Sequence, residues 1–390
     1  MSIKKNPGTR NVVLLGVVSF LNDLSSEMIL PILPLLIQSI GGTGIAVGLI
    51  GGIRDGGAEL LKAFSGAWSD RIKKRKIFVY AGYLVSAIFK LFLLLAHTWP
   101  FMFLFVGLER IGKSLRDAPR DALIAQSMPR NVGKAFGIHR AFDNLGAILG
   151  SVIAAFLVWQ WELDFKTIIL IAALISFFSV IPLKWVREAQ LAPEDSLDAS
   201  SNKKLSRPFI VFTTIATIFS LGHASYMFFI LRAQDILNHG APALMPMLLY
   251  VFFNVIYMAC STPFGILSDR IGRWKMMTLG YALFALTSLG FMYAFSLHTL
   301  MICFALYGVA LAIVQVNHRA YAADLASERS KATALGVFAT STGLALLGAG
   351  LTAGILWETI DHGAVFMYTG GLALFACFLL LVCKKVLEAH

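Results

Sequence analysis

The chain has 390 residues, of which 57% are hydrophobic and only 14% charged, with a formal net charge of +11. Soluble domains run at about 45–50% apolar and 25% charged, so these proportions exclude an ordinary soluble globule and indicate a membrane protein. The apolar residues fall in blocks of about 20, the helix length that crosses a hydrocarbon core, rather than in the short alternating strands of a barrel.

Twelve spans are predicted, at about 11–37, 45–67, 77–96, 100–126, 133–158, 166–186, 209–236, 243–267, 276–295, 298–323, 331–356 and 364–384. The first shows no small-residue cleavage site after a short apolar core and continues through Pro31 and Pro34, so it reads as a retained helix and not as a signal peptide. With a cytoplasmic N-terminus, segments 1–10, 69–78, 127–138, 184–208, 269–275, 326–331 and 384–390 hold 22 of the 33 Lys and Arg, and the six opposite turns hold only Lys166. That is the positive-inside pattern, which predicts both termini in the cytoplasm of a cell with an inner membrane. It also accounts for the basic excess without a nucleic-acid partner. Cys260, Cys303, Cys377 and Cys383 lie in apolar spans without CxxC spacing, so neither a disulfide framework nor a zinc site is expected.

Between Lys184 and Pro208 the chain turns polar, with EAQLAPEDSLDASSNKK, and reads as a linker. The expected domains are an N-terminal six-helix bundle at 1–186, a cytoplasmic linker at 187–207 and a C-terminal six-helix bundle at 208–390. A 199-residue offset relates the halves: Gly66, Asp70 and Arg71 fall on Gly265, Asp269 and Arg270, Arg120 on Arg319, Gly137 on Gly336, and Ser26 and Met28 on Ser225 and Met227. An internal repeat explains one offset serving four regions.

The segment GAWSDRIKKRK, Gly66 to Lys76, resembles the loop motif G-x-x-x-D-R-x-x-R/K-R/K between helices 2 and 3 of the major facilitator superfamily, and GILSDRIGRWK, Gly265 to Lys275, resembles its echo between helices 8 and 9. The resemblance covers essentially the whole chain. It implies an all-α, polytopic membrane protein with twelve transmembrane helices in two pseudo-symmetric six-helix bundles, which act by alternating access about a central site. Gly66 permits close helix approach. Asp70 can accept hydrogen bonds at a neighbouring helix N-terminus or pair with an arginine, and the basic residues hold the loop inside. The resemblance makes Gly66, Asp70, Arg71, Arg75, Arg116, Arg120, Asp269 and Arg270 a cytoplasmic gate. A topology anchor alone is the other account of these residues.

Charges inside the spans concentrate in the first half, with bases Arg54, Lys62, Lys90, Arg110, Lys113, Arg116, Arg120 and Arg140 and acids Asp23, Glu27, Asp55, Glu59, Glu109, Asp117, Asp121 and Asp143. An ion at the bilayer centre costs at least about 2.5–3.5 kcal/mol, so such residues pair, line water or move protons. Counting about 1.5 Å per residue puts Asp23 near mid-membrane with Glu27 one turn on, and Arg54, Asp55, Glu109 and Arg110 at a similar depth. Glu59 and Lys62 lie deeper and can pair with each other. His139 and Asp143 share one face of helix 5, and Arg140 and Asn144 another. Asp23, Glu27, Arg54, Asp55, Glu109, Arg110, Arg140 and Asp143 are the candidate proton-coupling and substrate residues. A carboxylate binds its proton more tightly in low dielectric and less tightly beside an arginine, so a change of neighbours drives proton exchange. Static helix-to-helix ion pairs match the equal numbers of acids and bases as well.

Arg110 to Ala125 resembles the helix-4 arginine motif of proton-coupled drug and solute facilitators, but Lys113, Arg116 and Asp117 follow unusually closely. Helix 5 is similar to the antiporter motif G-x-x-x-G-P through Gly146 and Gly150, without the proline, so the direction of transport stays open. GLERIGKS, Gly107 to Ser114, satisfies a phosphate-loop pattern but lies within a membrane span, where no strand precedes it. No hydrolase signature is present, so no enzyme is expected. In the second half, His223, Tyr226, Asn254, Tyr257, Gln315 and Asn317 are candidate walls of a cavity for an amphipathic or charged organic solute; packing against neighbours or lipid is the plainer account of each aromatic. Asp23 and Glu27 with His223 form a candidate metal set. The set loosely resembles the carboxylate-plus-imidazole arrangement of ferroportin-type facilitators, with Glu27 in place of an imidazole. The expected protein is therefore a monomeric secondary transporter of a small organic molecule, coupled to protons, without a cofactor or resident metal. A transition-metal or metal-siderophore carrier of the same fold and a non-transporting receptor are the alternatives.

Overall fold

The computed structural model describes residues 7–72, 74–188, 205–237, 243–327 and 331–387, without the side chains of residues 7, 61–64, 66, 67, 70 and 332. Every regular element among these residues is helical. In the first half they are α1 (Pro7–Ile29), α2 (Leu33–Ser39), α3 (Gly44–Ile72), α4 (Arg75–Phe92), α5 (Trp99–Ser127), α6 (Val132–Trp161) and α7 (Phe165–Ser179). The second half comprises α8 (Arg207–Leu221), α9 (Tyr226–Leu237), α10 (Leu244–Ile271), α11 (Arg273–Tyr293), α12 (Leu297–Leu325), α13 (Lys331–Thr359), α14 (His362–Val382) and the short α15 (Lys384–Leu387). The repeat is visible in the bounds: α4 begins at Arg75 and α11 at Arg273, and α5 runs from Trp99 to Ser127 where α12 runs from Leu297 to Leu325, each within one residue of the 199-residue offset.

Among the described residues ten stretches are long and apolar enough to cross a membrane, α8 and α9 together forming one of them. The two remaining long helices, α3 and α5, have 29 residues each and hold most of the in-span charges. The first and seventh spans are each interrupted. Pro31 sits in the turn between α1 and α2, where a proline offers no amide hydrogen and pushes its predecessor out of helical geometry. Gly222–Ser225 separates α8 from α9, a break that the apolar pattern of 209–236 does not announce. At Gly272, φ is 98°, a backbone region that favours glycine, and the chain turns there directly from α10 into α11.

Contacts divide the chain into two compact units, one of residues 1–36 and 57–199, the other of 37–56 and 200–390. In the first, α1 lies on α6 because Gly146 and Gly150 bring the two backbones together; a methyl at Gly146 would stand 2.5 Å from the Phe20 carbonyl oxygen. Gly82 plays the same part between α4 and α5, 2.6 Å from the Gly112 oxygen by the same construction. One end of this unit is tied by the segment after α7. The Lys76 ammonium donates to the carbonyls of Lys184 at 3.2 Å and Val186 at 2.7 Å, and Asn11 exchanges two hydrogen bonds with the Arg187 backbone.

In the second unit, the N-terminal half of α3 packs on α13 through facing glycines. Any side chain at Gly48 would run into Gly350, and a methyl at Gly44 would lie 2.7 Å from Trp357. Glu358 caps this end of α3, accepting a 2.9 Å hydrogen bond from the Gly44 amide. The core is aromatic. Phe229 stacks on Tyr307 at 4.3 Å and meets Phe291 edge-on at 4.8 Å, and Phe219 stacks on Tyr281 at 4.0 Å.

Candidate functional site

The first unit encloses a charged interior built on α1, α4, α5 and α6. Glu109 pairs with Arg110 at 2.6 Å with both side chains almost wholly buried. Arg116 is 2% exposed; it donates to Ser86 Oγ at 2.6 Å and stacks 4.3 Å from the Tyr83 ring centroid. Arg120, one turn on, reaches Asp121 at 3.0 Å and Asp117 at 3.5 Å and donates to Ser19 Oγ at 3.3 Å. Ser19 Oγ lies 3.4 Å from the Tyr83 hydroxyl, which brings α1 and α4 into the same network. On α6, His139 Nδ1 stands 3.3 Å from Asp143, an i,i+4 pair that helical spacing dictates. Asp143 in turn neighbours Arg120 and Ser19.

Asp23 accepts from the Asn22 amide at 3.3 Å and lies within electrostatic reach of Asp143, Lys113, Arg116 and Arg120. Two carboxylates and several fixed cations thus share one poorly solvated volume. In such a volume the charge on one carboxylate alters the cost of charging the other. Glu27, one turn beyond Asp23, is half-buried beside Gly150 of α6. The Asp143 Oδ1 and His139 Nε2 atoms are buried without a hydrogen-bond partner, polar positions open to a proton, water or solute.

The second unit presents a different wall. Arg54 pairs with Asp55 at 2.9 Å, and its guanidinium lies 4.9 Å from the Tyr226 ring centroid. Tyr226 meets Tyr250 at 5.2 Å, Tyr250 meets Phe253 at 5.8 Å, and Phe253 meets Tyr257 at 6.1 Å, an aromatic run on α9 and α10. His223 sits in the break between α8 and α9, flanked by Phe219 and Phe284 and within electrostatic reach of Asp55. Ser225 Oγ and Asn254 Nδ2 are buried without hydrogen-bond partners. Asn317 is buried and tied to Ser268 Oγ and the Ile313 carbonyl, which makes it a packing residue of α12.

Several candidate residues stand elsewhere than their spans suggest. Arg140 is exposed on α6 and takes no part in the buried network, because one residue around the helix from His139 already faces outward. Arg54 and Asp55 group with the aromatic unit rather than with Asp23. Gln315, Asp269, Arg270 and Arg71 are exposed, while Arg116 is an interior residue stacked on Tyr83 and not a rim residue. Arg75 is half-buried at the first position of α4. The side chains of Gly66 and Asp70 lie outside the described residues. Among the described residues, no three His, Cys, Asp or Glu side chains converge to hold a metal ion.

Sequence reasoning passed over two features. Lys90, fully buried on α4, is surrounded by oxygens of α1 and α7. His318 on α12 bonds the Tyr281 hydroxyl at 2.7 Å amid the rings of Phe212, Phe219 and Phe338. Lys90 is the lone base of the otherwise apolar predicted span 77–96 and counts among the in-span charges without a role.

Long membrane-crossing helices in duplicated sets, with ionised side chains held inside one set, define a polytopic helical carrier. The chain belongs to the Major Facilitator Superfamily, whose profile matches residues 15–256 and 235–389. It is a multi-pass membrane transporter of twelve transmembrane helices in two six-helix bundles, and not an enzyme. An uncharacterised MFS-type transporter of Methanocaldococcus jannaschii is 46% identical over 377 residues, 96% of this chain and 94% of that one. The multidrug resistance protein MdtH of Cronobacter sakazakii is 29% identical over 140 residues, 36% of this chain and 34% of its own. Among solved structures, a variant of the nucleoside transporter NupG matches with a TM-score of 0.83 at 15% identity, over 95% of this chain and 99% of that one. The POT family transporter PepTSo matches with a TM-score of 0.78 at 12% identity, over 98% and 99% of the two chains. At these identities the likeness is one of fold.

Proposed function

We propose that this transporter couples the movement of a small amphipathic or charged organic solute to protons, by alternating access, across the inner membrane with both termini in the cytoplasm. The observation that carries the proposal is the sharing of one buried volume by Asp23 and Asp143 with Arg116, Arg120 and His139. A carboxylate in that volume exchanges a proton whenever rearrangement of the helices changes its distance from the arginines. The Arg54–Tyr226 face and the buried, unpartnered Ser225 and Asn254 groups supply a cation, aromatic surface and hydrogen-bonding capacity for the solute. The likeness to a multidrug resistance protein over 140 residues supports an organic substrate. Arg71, Arg75, Asp269 and Arg270, with Gly66 and Asp70, act as the cytoplasmic gate, for which their place at helix ends is suited.

The test begins with a ligand-stabilisation screen of purified protein at two pH values, since a ligand that binds only the folded state raises its apparent stability. Flux of the hit in proteoliposomes follows. Proton-driven accumulation that is lost in Asp23→Asn and Asp143→Asn supports the proposal. Accumulation unchanged in both variants removes the proton role, and the absence of flux for every stabilising ligand removes solute transport by this route.

A further inference from the structure

Lys90 has no part in the transport reading above, yet it is the most deeply buried ammonium among the described residues of the first unit, with 2% of its surface exposed. Its Nζ lies 2.9 Å from Ser26 Oγ, 3.0 Å from Ser25 Oγ, and 3.4 Å from each of Ser176 Oγ, Asn22 Oδ1 and the Asn22 carbonyl oxygen. Among the described residues no carboxylate lies within ion-pair distance of it; the nearby formal charges are Glu109, Asp23, Arg110 and Arg116. An ammonium has three N–H bonds and cannot satisfy five oxygens one by one. Five neutral oxygens around a point charge form a coordination shell of the kind that hard cations select.

The oxygens are also oriented for a cation. Ser26 donates its own hydrogen to the Asn22 carbonyl at 2.9 Å, which leaves a lone pair for Nζ. Asn22 turns its amide nitrogen to Asp23, so its amide oxygen faces the ammonium. We propose that the oxygens of α1 and α7 around Lys90 form a monovalent-cation site, which this chain fills with its own tethered ammonium. Distances of 2.9–3.4 Å suit an ion of ammonium or potassium size rather than the smaller sodium. The tethered charge joins α1, α4 and α7, and the Asn22 amide links it to Asp23. In its consequence for transport, which rests on the proton-coupled reading, a carrier with this position permanently filled has no place there for a metal-ion gradient to act.

The test is the thermal unfolding of the purified full chain in methylammonium, ethylammonium, potassium, sodium and choline chlorides at equal ionic strength. The wild type keeps one midpoint in all five salts. Lys90→Ala is shifted downward in choline and recovers selectively in methylammonium, ethylammonium or potassium. Lys90→Met, which fills the space without charge, is shifted downward in every salt with no selective recovery. Wild-type stability of Lys90→Met, or a recovery of Lys90→Ala that is equal in choline, overturns the proposal. Should Lys90→Ala give no folded protein, it is produced with ethylammonium present. Recovery of folded protein then supports the site, and failure to recover it while Lys90→Met folds overturns it. Loss of the proton role for Asp23 would leave these results untouched, so the two readings fail separately.

Discussion

The two units solve the same packing problem with opposite chemistry. In the first, ionised and hydroxyl side chains fill the interior: Glu109 pairs with Arg110 and Arg120 with Asp117 and Asp121 along α5, while Arg116 reaches Ser86 and Tyr83 of α4 and Arg120 reaches Ser19 of α1. In the second, the corresponding interior is a continuous set of rings around Phe229, Tyr307, Phe291 and Phe219. Both halves descend from one repeated pattern, so the contrast is not a requirement of the fold. Rings pack in a bilayer without desolvation cost, whereas buried charges must be matched and are expensive wherever they serve only to hold helices together. The charged unit is therefore where function is sought.

Substitutions that exchange the two chemistries test this contrast. Glu109→Leu removes the buried carboxylate partner of Arg110 and should lower stability by about 3–5 kcal/mol in reversible denaturant unfolding. Phe229→Ala should cost a similar amount, about 3–5 kcal/mol, from the loss of packing around an emptied ring position. If Glu109→Leu is neutral, the charges of the first unit are dispensable and the contrast fails. Gly48→Leu, which forces α3 away from the Gly350 backbone, should cost about 1–3 kcal/mol from overpacking.

The smallest effect is at the turn before α7. There the Thr167 hydroxyl donates to Asp164, outside the spans, and holds its carboxyl below the ordinary carboxylate range. Asp164→Ala removes this helix cap at about 1 kcal/mol. Because the folded state lowers the proton affinity of Asp164, its contribution is present above the ordinary carboxylate range and is lost as pH falls through the lowered value. The difference in unfolding midpoint between wild type and Asp164→Ala should accordingly vanish in acid.

Much of the fold is legible in the sequence because it depends on local quantities. Blocks of apolar residues mark the twelve spans, and the 199-residue offset reappears within one residue in the bounds of α5 and α12. The pairing of His139 with Asp143 follows from helical spacing alone, and Gly146 and Gly150 mark the close approach of α1 and α6. The remainder depends on three-dimensional neighbours. The helix break at Gly222–Ser225 is set by its neighbours, Thr369 and Leu372 of α14, Phe284 of α11 and Gly51 of α3. The exposure of Arg140 beside the buried His139 depends on which face of α6 meets α1. The shell around Lys90 draws on residues 22, 25, 26 and 176, separated by up to 154 positions in the chain. No local pattern announces such a grouping.

The most direct measurement is the flux of an identified solute into proteoliposomes under an imposed pH gradient, with Asp23→Asn and Asp143→Asn read beside the wild type. Gradient-driven accumulation in the wild type, reduced in both variants to the level reached without a gradient, is the expected result. Equal accumulation in all three proteins would contradict the assignment and make the buried charges of the first unit static ion pairs.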